Sequence, residues 1–157
     1  MNLQRRKALR TGGGVTLMTL VAAAGWLRPE HALAADWNKA AFEANTMDAT
    51  MKALGGGAPA QSKDIVFFQT PDIAENGAVV PVAVASKIPN TQGIYVLVEK
   101  NPSALAAGFS IPAGTEPSVS TRIKMGQTSN VHAVVKADNK FYVATKEVKV
   151  TLGGCGG

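Results

Sequence analysis

The sequence predicts a mainly β protein: an Ig-like antiparallel β-sandwich with one N-terminal helix and a flexible, glycine-rich C-terminal arm. Three observations predict it. Val-rich apolar runs recur about every 10 to 20 residues from Lys63 onward. No second helical pattern separates them, so the crossovers that parallel βαβ units require are missing. The 157 residues include 16 glycines and only 6% aromatics, which favours strands and turns over a helical bundle. With 46% hydrophobic and 17% charged residues, the chain has the composition of a globular domain rather than a disordered one.

Taken in order, residues 1–34 read as a cleaved export signal. Arg5, Arg6, Lys7 and Arg10 form a cationic start, and Thr11 to Leu27 carry no charge. That apolar stretch is short and glycine-rich for a membrane span, and Ala32-Leu33-Ala34 supplies a small-residue cleavage site. Arg5-Arg6 followed by Lys7-Ala8-Leu9-Arg10 fits a twin-arginine signal, with Ala8 where a bulky apolar residue is usual. A general secretory signal is the alternative. Either route leads to a bacterial-type periplasm, with no membrane segment after cleavage.

Residues 35–54 predict one amphipathic helix, with Trp37, Ala41, Ala44, Met51 and Leu54 as its apolar stripe and Asp36 as its N-cap. Gly55-Gly56-Gly57-Ala58-Pro59 ends it. The sandwich spans 63–152. Its strands are expected at Ile65 to Phe68, Val79 to Val84, Ile94 to Val98, Val119 to Met125, Asn130 to Lys136 and Phe141 to Leu152, and Pro71 to Gly77 reads as a loop. Pro81 cannot donate to a ladder, so the Val79 to Val84 run is expected at an edge or a bulge. Such an exposed edge is a candidate surface for a partner. The last strand alternates cleanly, with Val148, Val150 and Leu152 on one face and Glu147, Lys149 and Thr151 on the other.

Charge excludes a nucleic-acid reading. The full chain carries 16 basic and 11 acidic side chains, but the leader holds five of the former (Arg5, Arg6, Lys7, Arg10, Arg28) and one of the latter (Glu30). The mature chain of about 123 residues keeps 11 and 10, a net charge of +1, which is no polyanion footprint. Its single cysteine excludes an intramolecular disulfide and a four-cysteine zinc site. His132, without a second histidine in the mature chain, reads as an ordinary strand residue, and no metal site or cofactor is expected. Arg122 is either a solvent-facing strand residue or a partner contact. The carboxylates show no acid/base pairing.

The tail carries the chemistry. Cys155 is flanked by Gly153, Gly154, Gly156 and Gly157, a five-residue arm whose only side chain is the thiol. Glycine samples both halves of φ space, so the arm is a flexible tether. Cys155 lies three residues beyond Leu152, which lets its Cα stand about 10 Å off the sandwich. An arm this slim fits a narrow channel in another protein. A catalytic cysteine needs a base or positive field to lower its pKa from about 8.5, and fixed donors for developing charge. Glycine supplies neither. The thiol therefore reads as an attachment point, activated by whichever protein receives it.

The ending Lys149-Val150-Thr151-Leu152-Gly153-Gly154-Cys155-Gly156-Gly157 resembles the C-terminus of the SoxY family, sulfur carriers of the periplasmic thiosulfate-oxidising Sox system. Pro71-Asp72-Ile73-Ala74-Glu75-Asn76-Gly77, Val80-Pro81-Val82, Asn101-Pro102 and Thr121-Arg122-Ile123-Lys124-Met125 look like the family's internal landmarks. The resemblance implies a non-enzymatic carrier with Cys155 as the covalent attachment site. It implies a heterodimer with a SoxZ-like subunit. It also implies service to a c-type cytochrome, a di-manganese hydrolase and a sulfur dehydrogenase, through S-thiosulfonate, persulfide and S-sulfonate intermediates.

Two other readings of the residues stay open. One is an exported structural or interaction domain whose Cys155 forms an intermolecular disulfide homodimer. The other is a thiol enzyme, which requires a depressed thiol pKa in the isolated chain.

Overall fold

The computed structural model describes residues 38–151. The leader, the first residues of the predicted helix, Leu152 and the whole glycine arm lie outside the described residues. In chain order the elements are α1 (Lys39–Glu43), α2 (Met47–Ala53), β1 (Ala60–Gln61), β2 (Ile65–Phe67), β3 (Ile73–Ala74), β4 (Val80–Ser86), β5 (Thr91–Val98), β6 (Leu105–Ser110), β7 (Ser118–Ile123), β8 (Ser129–Ala137) and β9 (Lys140–Val150).

Two sheets face each other. The larger has the order β1-β9-β8-β5-β6, with β3 also paired to β9, and the smaller has the order β2-β4-β7. Strand alternation decides what lies between them. Val80, Val82 and Val84 point inward from β4, and Ile94, Val96 and Val98 from β5 meet them, joined by Val131, Ala133 and Val135 of β8 and Val148 of β9. The opposite face of the larger sheet is also apolar, at Leu97, Leu105, Val134, Phe141 and Val143, and Ala41 and Met51 of the helices cover it. The result is the predicted Ig-like sandwich with a helical layer on one side.

The front of the domain differs from the single helix expected over 35–54. Two short helices form, broken at Ala44, whose ψ of 132° is extended. Polar side chains make the break. Asn38 caps α1 by accepting from the Ala41 N–H at 3.1 Å, and Thr46 caps α2 by accepting from the Ala49 N–H at 3.2 Å. The predicted N-cap, Asp36, lies outside the described residues. Helices of five and seven residues cannot stand alone, so docking on the sheet holds them. The glycine stop is where it was expected. Gly55 adopts φ 80°, its N–H bonds to Lys52 O and that of Gly56 bonds to Met51 O, a Schellman cap.

Pro81 does not mark an edge strand, contrary to the expectation for Val79 to Val84. β4 is the central strand of the smaller sheet. Its pairing with β2 covers only Val84 to Ser86, whereas its pairing with β7 extends down to Val80. Ala83, on the same edge of β4 as Pro81, donates its N–H to Thr70 Oγ1 at 3.1 Å, beyond the end of β2. The donor that proline lacks would point past β2 into the open, so the ladder loses nothing.

The sheets are not wholly antiparallel. β1 pairs in parallel with β9 at Tyr142 and Val143, and β3 pairs in parallel with it at Lys149 and Val150. Both additions lie along the flank of β9 that β8 leaves free, which blunts that edge at two points. β8 turns into β9 through Asp138 and Asn139, both left-handed (φ 47° and 59°), a two-residue type I′ hairpin.

Candidate functional site

The candidate site residues, Cys155 with Gly153, Gly154, Gly156 and Gly157, lie outside the described residues. What the structure describes is the root from which they extend. β9 is the longest strand, 11 residues, and the chain reaches its last described residue, Thr151, one position past its end.

The root is held on both flanks. On one side, Lys149 N–H donates to Asp72 O at 2.9 Å and Thr151 N–H donates to Ala74 O at 3.1 Å, which is the parallel pairing of β3. On the other, Val150 N–H donates to Thr128 Oγ1 at 3.0 Å. Every backbone N–H from Lys149 to Thr151 therefore has a fixed acceptor. Below the root, Met125 N–H donates to Gly77 O at 2.7 Å. Gly77 lies so close that a Cβ there would fall within contact of the Met125 carbonyl oxygen and 2.9 Å from Val150 Cγ1. Only glycine lets the loop press against the strand here.

Side chains reinforce this clamp. Lys146 Nζ donates to the Thr70 carbonyl and lies 3.0 Å from Asp72 Oδ1. Asn101 ties two neighbouring loops together, donating from Nδ2 to Lys124 O at 2.7 Å. The segment read as a plain loop, Pro71 to Gly77, is thus the strand β3 plus a buttress for the arm's root. Its turn chemistry was visible in the sequence. Its two-residue pairing with a strand some 75 positions later was not, because so short a strand has no period to read.

His132 is more than an isolated strand residue. Nδ1 lies 2.9 Å from Thr145 Oγ1, across the β8–β9 pair, and Nε2 lies 3.9 Å from Glu99 Oε2. Asn130 Nδ2 donates to the same carboxylate at 2.9 Å. Burial pushes the imidazole pKa below 6.5, and Glu99 partly opposes it. Burial prevails because the Glu99 side chain is half exposed and its charge is screened. The neutral ring bridges two strands, and no third ligand accompanies His132 and Glu99: among the described residues no cluster of three or more metal-ligating side chains occurs. Arg122 is exposed on β7 opposite Pro81. No described helix is long and apolar enough to cross a membrane.

The family model for the sulfur oxidation protein SoxY matches residues 50–155, a stretch that contains the β-sandwich and closes on Cys155. The chain belongs to the SoxY family. A solved structure agrees: the sulfur carrier protein SoxY from Chlorobium limicola f thiosulfatophilum is 40% identical, with a TM-score of 0.61, over 68% of this chain and 97% of that one. Two further solved structures align more loosely. A chain of a solved structure on T cell specificity and activation by the bacterial superantigen toxic shock syndrome toxin-1 is 14% identical with a TM-score of 0.37, over 55% of this chain and 99% of that one. The human F-spondin reeler domain is 9% identical with a TM-score of 0.39, over 60% and 92%. Likeness at that level carries no functional argument. No curated protein matches the chain. The SoxY match runs from the second helix through the sandwich to Cys155, and residues 1–49 lie before it.

Proposed function

We propose that this SoxY-family protein carries sulfur intermediates covalently on Cys155 through thiosulfate oxidation in the periplasm. The observation that carries the reading is the family match closing on a cysteine that lies five residues beyond a strand end clamped on both flanks. A fixed root and a side-chain-free tether suit a thiol that is presented to other proteins rather than used in its own fold.

The chemistry balances with partner enzymes as the agents. A c-type cytochrome joins the Cys155 sulfur to the outer sulfur of thiosulfate. An S–S bond forms, the thiol proton is released, and two electrons pass to haem. The product is the cysteine S-thiosulfonate. A di-manganese hydrolase then adds water at the sulfonate sulfur, cleaving its S–S bond, so sulfate leaves and a persulfide remains. A sulfur dehydrogenase takes six electrons from the outer persulfide sulfur, with water supplying three oxygens, to give the S-sulfonate. A second hydrolysis releases sulfate and restores the thiol. The carrier contributes attachment and delivery, and a SoxZ-like subunit completes the heterodimer. Residues 1–34 serve as a twin-arginine-type leader, which allows export of a folded pair.

The test is intact-protein mass spectrometry under non-reducing conditions during thiosulfate turnover. The expected spectra show adducts of thiosulfonate, sulfane sulfur and sulfonate mass on the 153–157 peptide, all removed by reductant. A thiol that stays free throughout turnover defeats the reading. Cys155→Ser is expected to abolish thiosulfate oxidation. If it removes only a disulfide-linked dimer and leaves oxidation intact, the structural-domain reading is correct instead.

A further inference from the structure

We infer that Asn76 is a modification site: its side-chain amide is lost through a cyclic imide formed with the Gly77 backbone nitrogen, and the isoaspartyl product releases the clamp on the last strand. The inference goes beyond the carrier reading and holds whatever the thiol carries. The sequence isolates the pair. Of eight asparagines only Asn76 is followed by glycine. Ring closure needs the next backbone nitrogen to reach the side-chain carbonyl carbon. A Cβ on that next residue stands in the way, and glycine has none. The turn sets up the approach. Asn76 is exposed, so water reaches it. Its Oδ1 accepts from the Ala78 N–H at 2.9 Å, an Asx turn that bridges the Gly77 peptide. That N–H therefore sits on the oxygen that gains charge when the Gly77 nitrogen adds to Cγ, as an oxyanion donor does. The bond from Cγ to the Gly77 nitrogen forms, the Cγ–Nδ2 bond breaks, and ammonia leaves with the Gly77 amide proton. Water then opens the imide at either carbonyl, giving aspartate or isoaspartate. Water is the only co-reactant, so the change needs neither an enzyme nor an oxidant.

What surrounds Gly77 decides the effect. Ala74 and Gly77 are both seated on Val150. Ala74 pairs with it through β3, and a Cβ on Gly77 would stand 2.9 Å from Val150 Cγ1 and closer still to the Met125 carbonyl oxygen. Gly77 O also accepts from the Met125 N–H at 2.7 Å. The chain from Ala74 to Gly77 thus joins two fixed points. An isoaspartyl link puts the side-chain methylene into the main chain, so this short span gains one atom where close packing leaves no room for it. Either Gly77 leaves Met125 or β3 leaves β9. Both loosen the flank on which Lys149 N–H is bonded to Asp72 O and Thr151 N–H to Ala74 O. Conversion to aspartate adds the same charge and no chain atom, and an aspartate oxygen still accepts from the Ala78 N–H. The two products therefore separate the effect of charge from that of chain length.

The mature protein purified from the periplasm is held folded in mildly alkaline buffer, and its peptides are mapped by mass spectrometry at intervals. The mass gain of amide-to-acid conversion is expected at Asn76 about tenfold faster than at any other asparagine, because the others precede residues that carry a side chain. Methylation by an isoaspartyl methyltransferase distinguishes isoaspartate from aspartate in the converted fraction, which anion exchange separates from the rest. Amide hydrogen exchange is then compared by NMR for unconverted protein, isoaspartyl protein and the Asn76→Asp variant. Val134, fully buried on β8 inside the larger sheet, is the internal reference. Exchange at Lys149 and Thr151 is expected to quicken about tenfold in the isoaspartyl protein and to stay within about twofold in Asn76→Asp, with Val134 unchanged in both. Asn76 keeping its amide throughout overturns the inference. So does an isoaspartyl protein that exchanges at the unconverted rate, and so does equal quickening in Asn76→Asp, which assigns the effect to charge. None of these readouts involves sulfur, so they stand apart from the Cys155 adducts that test the carrier reading.

Discussion

Gly77 is the residue on which the arm's root depends most directly. A methyl group there meets a backbone carbonyl, which cannot rotate away as a side chain can. Gly77→Ala is expected to destabilise the domain by about 1–3 kcal/mol, read as a lower urea midpoint at unchanged m-value. His132 makes the residue-scale pH prediction. Its pKa is lowered by burial, with Glu99 opposing, so the unfolded chain binds the proton more readily than the folded one. The stability it contributes is complete above pH about 6.5, the unfolded value, and is lost as pH falls through the depressed folded value. His132→Gln, which keeps a polar group near Thr145 Oγ1, is expected to flatten the fall in urea midpoint over that acid interval. An unchanged slope would show that other groups set it. Sequence reasoning placed His132 correctly on a strand. It did not find Glu99 and Thr145 beside it, because those contacts join residues 33 and 13 positions away across strand pairs.

At the scale of elements, the two helices and β6 show where local patterning stops being informative. The helical stripe over 35–54 was legible, but the break was not, since Asn38 and Thr46 act as caps only when the backbone turns at Ala44. Met51 is 1% exposed between α2 and the larger sheet. Met51→Ala is expected to cost about 2–5 kcal/mol. Because helices this short depend on docking, the variant should also become sensitive to limited proteolysis within 38–57 before the sandwich unfolds. β6 was absent from the expected strands. Leu105-Ala106-Ala107-Gly108-Phe109-Ser110 is poor in β-branched residues, and its strand character comes from pairing with β5. Gly108 lies directly opposite Tyr95, and a Cβ there would be 3.1 Å from that ring. The ring needs the space that a better strand former would fill. β1 and β3, at two residues each, carry no signal of their own.

At the scale of the whole molecule, the described body is fixed up to the point where the proposed arm begins. β9 is bonded to β8 from Lys140 to Val148, and β1 and β3 hold its other flank at either end. The load of any partner engaging the arm therefore passes into the centre of the larger sheet. Deleting residues 153–157 is expected to abolish sulfur loading while shifting Tm by less than about 2 °C, because glycine has no apolar side chain to bury. A larger fall in Tm would mean that the arm packs on its own domain.

The amino-acid sequence by itself determined the fold class, the alternating faces of the last strand, the stop at Gly55 and the lone thiol in its glycine setting. These are local: each follows from side-chain period, backbone freedom or composition within a few residues. Only the tertiary structure decided that β4 is central despite Pro81, that the helix is two, and that Pro71 to Gly77 clamps the arm's root. Each of those depends on which distant segment supplies a hydrogen-bond partner or occupies the adjoining space, and chain neighbours hold no record of that.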